Sequence, residues 1–361
     1  MSISRLFQRA RELERQRREI IHLEVGQLDL PISKVIKGLT PKAYSPYVDI
    51  NGIGQLRESI SEYCSNVQGI DVSPNEILVT PGGRFAIYAT MVGCLGSNDA
   101  ALVLDPSWPG YIECAEVARV KLQRVPTFLE NGWVPDLTAL EARIKSAKLL
   151  ILNYPNNPTG KILDEDVFEA VQDMARKYKV LLLRDEAYVD YNFRGDKLPP
   201  LDLSNSVSVF TFSKSFAMAG FRLGFTIADA KTISRLSKVH SAVMTCVNEY
   251  SQRAGIIALR DKTILKRNAN ILRKRIAIAA SLLKDFGLSF YYPEGGMYLF
   301  ARVETKAFDS LKFANHILEQ DGVALVPGAA FGPYPEFLRI SLGTSTPKII
   351  RGLKILGKAL E

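Results

Sequence analysis

A lysine set between hydroxyls, with an arginine eight residues further on, is the part of this chain best suited to chemistry: Thr211-Phe-Ser-Lys214-Ser-Phe-Ala-Met-Ala-Gly-Phe-Arg222-Leu-Gly. An ammonium among apolar residues at the end of a buried strand is costly, and giving up its proton leaves a nucleophilic amine. Such an amine attacks a carbonyl to make a Schiff base, while a nearby arginine and hydroxyls can hold a phosphate. Taken alone, the segment also fits a lysine that reaches solvent from a strand end and an arginine paired on the surface. Two further segments weigh against that. Asn153-Tyr-Pro-Asn156-Asn157-Pro158-Thr159-Gly160 follows the apolar run Leu149 to Leu152 and reads by composition as a strand-to-helix turn. Asp185-Glu-Ala-Tyr188 follows the run Val180 to Leu183. Each lies at the carboxyl end of an expected parallel strand, as does Lys214 after Val207 to Phe212, and ligands of open α/β sheets bind at that edge.

An Asp at such an edge can pair with a protonated pyridine nitrogen, and a Tyr hydroxyl and an Asn amide can both donate to a phenolate oxygen. With the lysine and arginine, these groups suit pyridoxal phosphate. In order and spacing the chain resembles the fold-type I pyridoxal-phosphate enzymes, and within them the class I/II aminotransferases similar to aspartate aminotransferase, from Gly26 to Arg339. The resemblance implies that Lys214 forms the Schiff base and shuttles the substrate Cα proton. It implies that Asp185 partners the pyridine nitrogen, that Tyr188 and Asn157 meet the cofactor O3′, and that Arg222 and Thr211 bind its phosphate. Arg339, in Phe337-Leu-Arg339-Ile-Ser-Leu-Gly, matches the arginine that grips the substrate α-carboxylate, with Asn157 assisting.

Weaker segments gain meaning in the same register. Thr80-Pro-Gly82-Gly83-Arg84 opens a helix, so its N–H groups can receive an anion; the resemblance makes it part of the phosphate cup. Trp108, in Asp105-Pro-Ser-Trp108-Pro-Gly-Tyr111, matches a ring stacked on the pyridine face and a wall of the substrate site. Gly26, in Val25-Gly26-Gln27-Leu28-Asp29, falls in the substrate-entry segment, where Gln27 and Leu28 depart from the usual Glu-Pro. Tyr47 matches a tyrosine that reaches the phosphate of a neighbouring subunit, which implies a homodimer. Val243 stands where aspartate-specific relatives of one subgroup lend an arginine for the distal carboxylate. Arg84, charged where many relatives are small or neutral, can replace that clamp, add to the phosphate cup, or lie solvated on the helix surface.

The expected reaction is amino transfer between an L-amino acid and a 2-oxo acid. A decarboxylase or β-eliminating lyase on the same fold stays open, because fold does not decide function. A cofactor-binding regulator needs a DNA-reading unit, and the stretch before Gly26 is short for one.

The elements that must position these residues follow from composition and pattern. A chain of 361 residues, 47% hydrophobic and 23% charged, supports a large core in two domains. No apolar run approaches a membrane span and the first residues lack a secretory apolar stretch, so the cytoplasm is expected. The four cysteines, Cys64, Cys94, Cys114 and Cys246, lack C-x-x-C spacing and read as small buried hydrophobes rather than metal ligands. A net charge of +8 is spread along the chain, in mixed helical stretches such as Arg5 to Arg18 and Lys262 to Lys274, which argues against a nucleic-acid partner. Strand-like and helix-like runs alternate from Ile77 to Ile227, the pattern of an α/β doubly wound, mostly parallel sheet. The expected organisation is a large cofactor-binding domain at 45–275 and a smaller α+β domain built from 1–44 and 276–361 that closes over the substrate. Gly295-Gly296 and Pro327-Gly328 are expected turns or hinges.

Overall fold

The computed structural model describes residues 3–40, 46–195, 199, 202–261 and 263–361. Lys262 and the expected boundary at 44/45 lie outside the described residues.

A seven-stranded sheet forms the middle of the chain. Its strands are β2 (Ile77–Thr80), β3 (Ala100–Asp105), β4 (Lys121–Pro126), β5 (Leu149–Asn153), β6 (Leu181–Asp185), β7 (Ser206–Thr211) and β8 (Gly224–Ile227), in the order β2-β8-β7-β6-β5-β3-β4. β4, β3, β5, β6 and β7 run parallel, and β8 is antiparallel to both neighbours. Inner strands β3, β5 and β6 carry runs of apolar residues because helices cover both faces, whereas edge strand β4 exposes Lys121 and Gln123. The register pairs Asn153 with Asp185 and Asp185 with Val209, which sets the ends of β5, β6 and β7 side by side. The helix Glu165–Tyr178 that joins β5 to β6 buries Phe168, Val171, Gln172 and Ala175 at helical spacing and ends on Lys179 in the left-handed region.

The remaining strands belong to two small sheets. β1 (Ile21–His22) pairs in parallel with β11 (Val323–Ala324). β12 (Val326–Pro327), β13 (Phe337–Ser341), β10 (Tyr298–Arg302) and β9 (Ser289–Phe290) make a four-stranded antiparallel sheet. β9 is short, since only Ser289 and Phe290 find partners on β10. The helix Ile3–Arg15 places Leu6, Ala10 and Leu13 in one core with Ile317, Ile340 and Leu353, so the two ends of the chain fold together. That core fixes where Val25 and Gly26 leave β1, beside the C-terminal ends of β5 to β7.

The stretch after β8 is helical as expected, in three pieces: Ala230–Met244, Glu249–Arg260 and Ile264–Asp285. The last runs through the expected boundary at 275 without a break. Gly295 bridges to Asn192, and the Gly296 N–H donates to the Tyr191 carbonyl at 2.9 Å, so this pair is a tied turn. Cys64 and Cys114 are buried, but Cys94 and Cys246 are half-buried, a correction to their expected place in the core. Among the described residues, no helix is long and apolar enough to cross a membrane.

Candidate active site

β5, β6 and β7 end around one cavity of about 350 Å³, whose wall includes Gly26, Gly83, Arg84, Trp108, Asn157, Asp185, Tyr188, Thr211, Lys214, Arg222 and Arg339. A slightly larger cavity lies elsewhere, around Phe168, Arg184 and Glu186. It holds none of the lysine, arginine and tyrosine groups described below, and its buried Arg184–Glu186 pair at 2.8 Å is self-satisfied.

Lys214 sits in the single helical turn Phe212–Ser215, which Thr211 caps by accepting the Ser213 N–H at 3.1 Å. Its Nζ donates to the Gly26 carbonyl and lies 5.8 Å from the Tyr188 ring centre. The Tyr191 hydroxyl donates to the Lys214 carbonyl at 2.8 Å and steadies the turn from below. A Cβ on Gly26 would come within 3.1 Å of Lys214 Nζ and collide with the Tyr298 hydroxyl, so only glycine fits between them.

Asp185 is buried at the end of β6. Tyr111 donates to its Oδ2 at 2.6 Å and the Ala187 N–H to its Oδ1 at 3.1 Å. Burial pushes this carboxyl above the usual range, while those two donors and the Lys214 charge favour the ionised form and limit the rise. Burial also drives Tyr111 well up, with the Asp185 charge adding to it, so its phenol stays a donor.

The third group centres on Arg339, which β13 holds against β10. The Arg339 Nη1 donates to Asn157 Oδ1 at 3.0 Å and its Nη2 to the Glu24 carbonyl at 2.6 Å, while its buried Nε has no partner. Its guanidinium lies over the Tyr298 ring at 4.3 Å and the Phe331 ring at 5.0 Å. Asn157 Nδ2 donates to the Tyr188 hydroxyl at 3.4 Å, and the Tyr188 and Tyr298 hydroxyls are 3.0 Å apart. Burial and the neighbouring Tyr298 hold Tyr188 well up. Burial would raise Tyr298 too, but the charges of Lys214 and Arg339 outweigh it and draw Tyr298 down.

On the β2 side, Gly82 precedes the helix Gly83–Cys94 with φ +89°, and a Cβ there would meet Arg222 Nη2 at 2.7 Å. Arg222 thus presses against a bare backbone at a helix N-terminus, with Thr211 on the same wall. A cationic side chain, helix N–H groups and a hydroxyl are the donor set a phosphate needs.

The sequence matches the family described as aminotransferase class I and II over residues 18–356. It is 34% identical to an aspartate aminotransferase of Pyrococcus horikoshii, over 99% of this chain and 94% of that one. It is 30% identical to aromatic-amino-acid aminotransferase 2 of Thermococcus litoralis, over 99% and 95% of the two chains. The crystal structure of an aspartate aminotransferase from Thermotoga maritima superposes with a TM-score of 0.93 at 29% identity, covering 99% of this chain and 96% of that one. The chain is a class I and II aminotransferase. Its family uses pyridoxal phosphate, acts on amino and 2-oxo acids, and is typically dimeric.

In this aminotransferase the residues expected from the sequence line this cavity, with two exceptions. Gly82 stands behind Arg222 rather than at the cavity surface. Tyr47 is away from the cavity and 85% exposed. Val243 is also exposed, on the helix Ala230–Met244. Arg84 is at the rim, where it ion-pairs with Glu113 and lies 4.7 Å over the Trp108 ring. Trp108 meets Tyr111 edge-on at 5.3 Å. Three site residues escaped the sequence reading of roles. Tyr111 was legible only as the end of the Trp108 segment, Tyr298 only as the start of a strand after a glycine turn, and Asn153 only as the start of a loop. Asn153 accepts the Asn157 N–H at 2.9 Å and donates to the Asp185 carbonyl at 2.9 Å, tying two site segments together.

Proposed function

We propose that this aminotransferase moves the amino group of an L-amino acid to a 2-oxo acid with pyridoxal phosphate held in the 350 Å³ cavity, attached at Lys214. The observation that carries the reading is the convergence of Lys214, Asp185 and Arg339 on that cavity from three separate chain segments. The residues suit the group: Arg222, Thr211 and the helix start at Gly83 for its phosphate, Asp185 for its ring nitrogen, Tyr188 and Asn157 for its phenolic oxygen, and Trp108 for its ring face. When bound, the cofactor supplies an aldehyde for the amino group and a ring that accepts the electrons left at Cα.

Everything else is done by the chain. Asp185, held by Tyr111, would hold the cofactor's ring nitrogen and favour its protonated form. Arg339 takes the substrate α-carboxylate, and its unpartnered Nε is the donor such a carboxylate would complete. That grip would orient the Cα–H bond toward the Lys214 amine, which is the group on this wall that would take up the proton. Positioning of this kind is worth about 7 kcal/mol or more. At the rim, Arg84 is the cation for a distal carboxylate in place of the residue missing at Val243. Residues 1–44 and 276–361 form the unit that carries Arg339 toward the cofactor domain, and Tyr47 serves the phosphate of the neighbouring subunit.

The test is a half-reaction. With an amino donor and no acceptor, the wild type should release one equivalent of 2-oxo acid per site and then stop. Lys214→Ala should release none within the same time and should carry no cofactor after borohydride reduction. Continuous turnover or release of CO₂ would point to a lyase or decarboxylase, and cofactor trapped on another lysine would overturn the Lys214 assignment.

A further inference from the structure

Arg84 is not a free cation. Its Nη1 pairs with Glu113 Oε2, and both side chains line the cavity rim about half exposed. The guanidinium lies 4.7 Å over the Trp108 ring, a second contact that holds it at the wall independently of Glu113. Glu113 comes from the helix Gly110–Ala118, a different element from the helix Gly83–Cys94 that carries Arg84. It can therefore swing to solvent without disturbing Arg84.

We infer that Glu113 is a specificity-determining counter-ion, which neutralises Arg84 when the bound side chain is uncharged and yields when that side chain bears a carboxylate. The inference rests on Arg84 being the distal clamp. Closing a substrate over an unpaired guanidinium would leave a poorly solvated charge, and Glu113 removes that cost for neutral and aromatic donors. An acidic donor brings its own carboxylate. It either displaces Glu113 from a half-exposed pair of small intrinsic strength or shares the guanidinium against like-charge repulsion. Both routes make Glu113 a penalty on acidic donors and an aid to neutral ones. The chain should accordingly accept both classes, with the balance set by this one carboxylate.

Glu113→Gln keeps the size and removes the charge. In the holoenzyme, the ratio of kcat/KM for aspartate to that for phenylalanine should rise by about fivefold or more. The dissociation constant of succinate, read from the cofactor absorbance, should fall by a similar factor, while that of butyrate should not. Both changes should vanish when Glu113→Gln is made in an Arg84→Gln background. If Arg84→Gln weakens succinate selectively but Glu113→Gln leaves the ratio unchanged, the counter-ion role is wrong and the clamp stands. If Arg84→Gln weakens succinate and butyrate alike, the clamp itself is wrong. Equal loss for both donors in Glu113→Gln would show a structural role and also overturn the proposal.

Discussion

Arg339 illustrates how a single residue can be buried and still be incompletely satisfied. Two of its nitrogens are committed to Asn157 and the Glu24 carbonyl, and two aromatic rings hold its plane, so its rotamer is set before substrate arrives. Because every amino acid presents the same α-carboxylate, Arg339→Leu should lower kcat/KM for all donors by a similar factor. Loss of a buried charge-assisted pair costs about 3–5 kcal/mol, or roughly two to three and a half orders of magnitude. A loss confined to acidic donors would show that Arg339 reads the side chain instead. Tyr111 offers a finer test. Its hydroxyl is the leading influence that favours the ionised form of Asp185 against burial. Tyr111→Phe should therefore move the acid limb of the kcat/KM pH profile to higher pH, and an unmoved limb would separate Tyr111 from the function of Asp185.

At the scale of elements, the short strand β1 connects the outer core to the site. His22 on β1 meets Glu24 Oε1 at 2.7 Å and Glu14 Oε1 at 3.0 Å, so it joins the N-terminal helix to the segment whose Glu24 carbonyl anchors Arg339. The hydrogen bond that His22 donates to Glu24 is the main reason the imidazole pKa is raised from 6.5 to about 9, against the opposing effect of burial. A pKa raised on folding stabilises the fold fully below the unfolded value and loses that contribution as pH climbs through the folded one. The urea midpoint of the wild type should therefore exceed that of His22→Gln most clearly near pH 6, with the gap closing between pH 6.5 and about 9. A gap that is constant across this window would mean that His22 acts through packing alone.

For the whole molecule, the unaccounted surface is the one around Tyr47. Tyr47 is 85% exposed on the single chain, which leaves its ring free to reach a neighbouring molecule. A neighbouring subunit that receives Tyr47 at its phosphate site would cover it. Light scattering should give a dimer, and Tyr47→Phe should speed cofactor loss on dilution although the residue lies outside its own chain's cavity. An active monomer would contradict this.

The placement of the candidate site residues was legible in the sequence wherever a residue type sits at a strand end that periodicity can locate. Lys214, Asp185 and Asn157 follow apolar runs that become β7, β6 and β5, and the parallel register then leaves little choice about where they meet. Local pattern also placed the amphipathic helix at Arg5 to Arg18, because Leu6, Ala10 and Leu13 share one helical face. What the sequence could not determine were contacts between residues distant along the chain. Tyr111 reaches Asp185 across 74 positions and Arg339 reaches Glu24 across 315. Neither distance leaves a trace in local composition. The extent of β9 and the half-exposure of Cys94 and Cys246 were likewise settled by neighbours supplied from elsewhere in the fold. Arg84 is the sharpest case: its charge was evident from the sequence, but its partner was not. Only the packing of two helices brings Glu113 against it, because the two residues lie on separate elements of the chain.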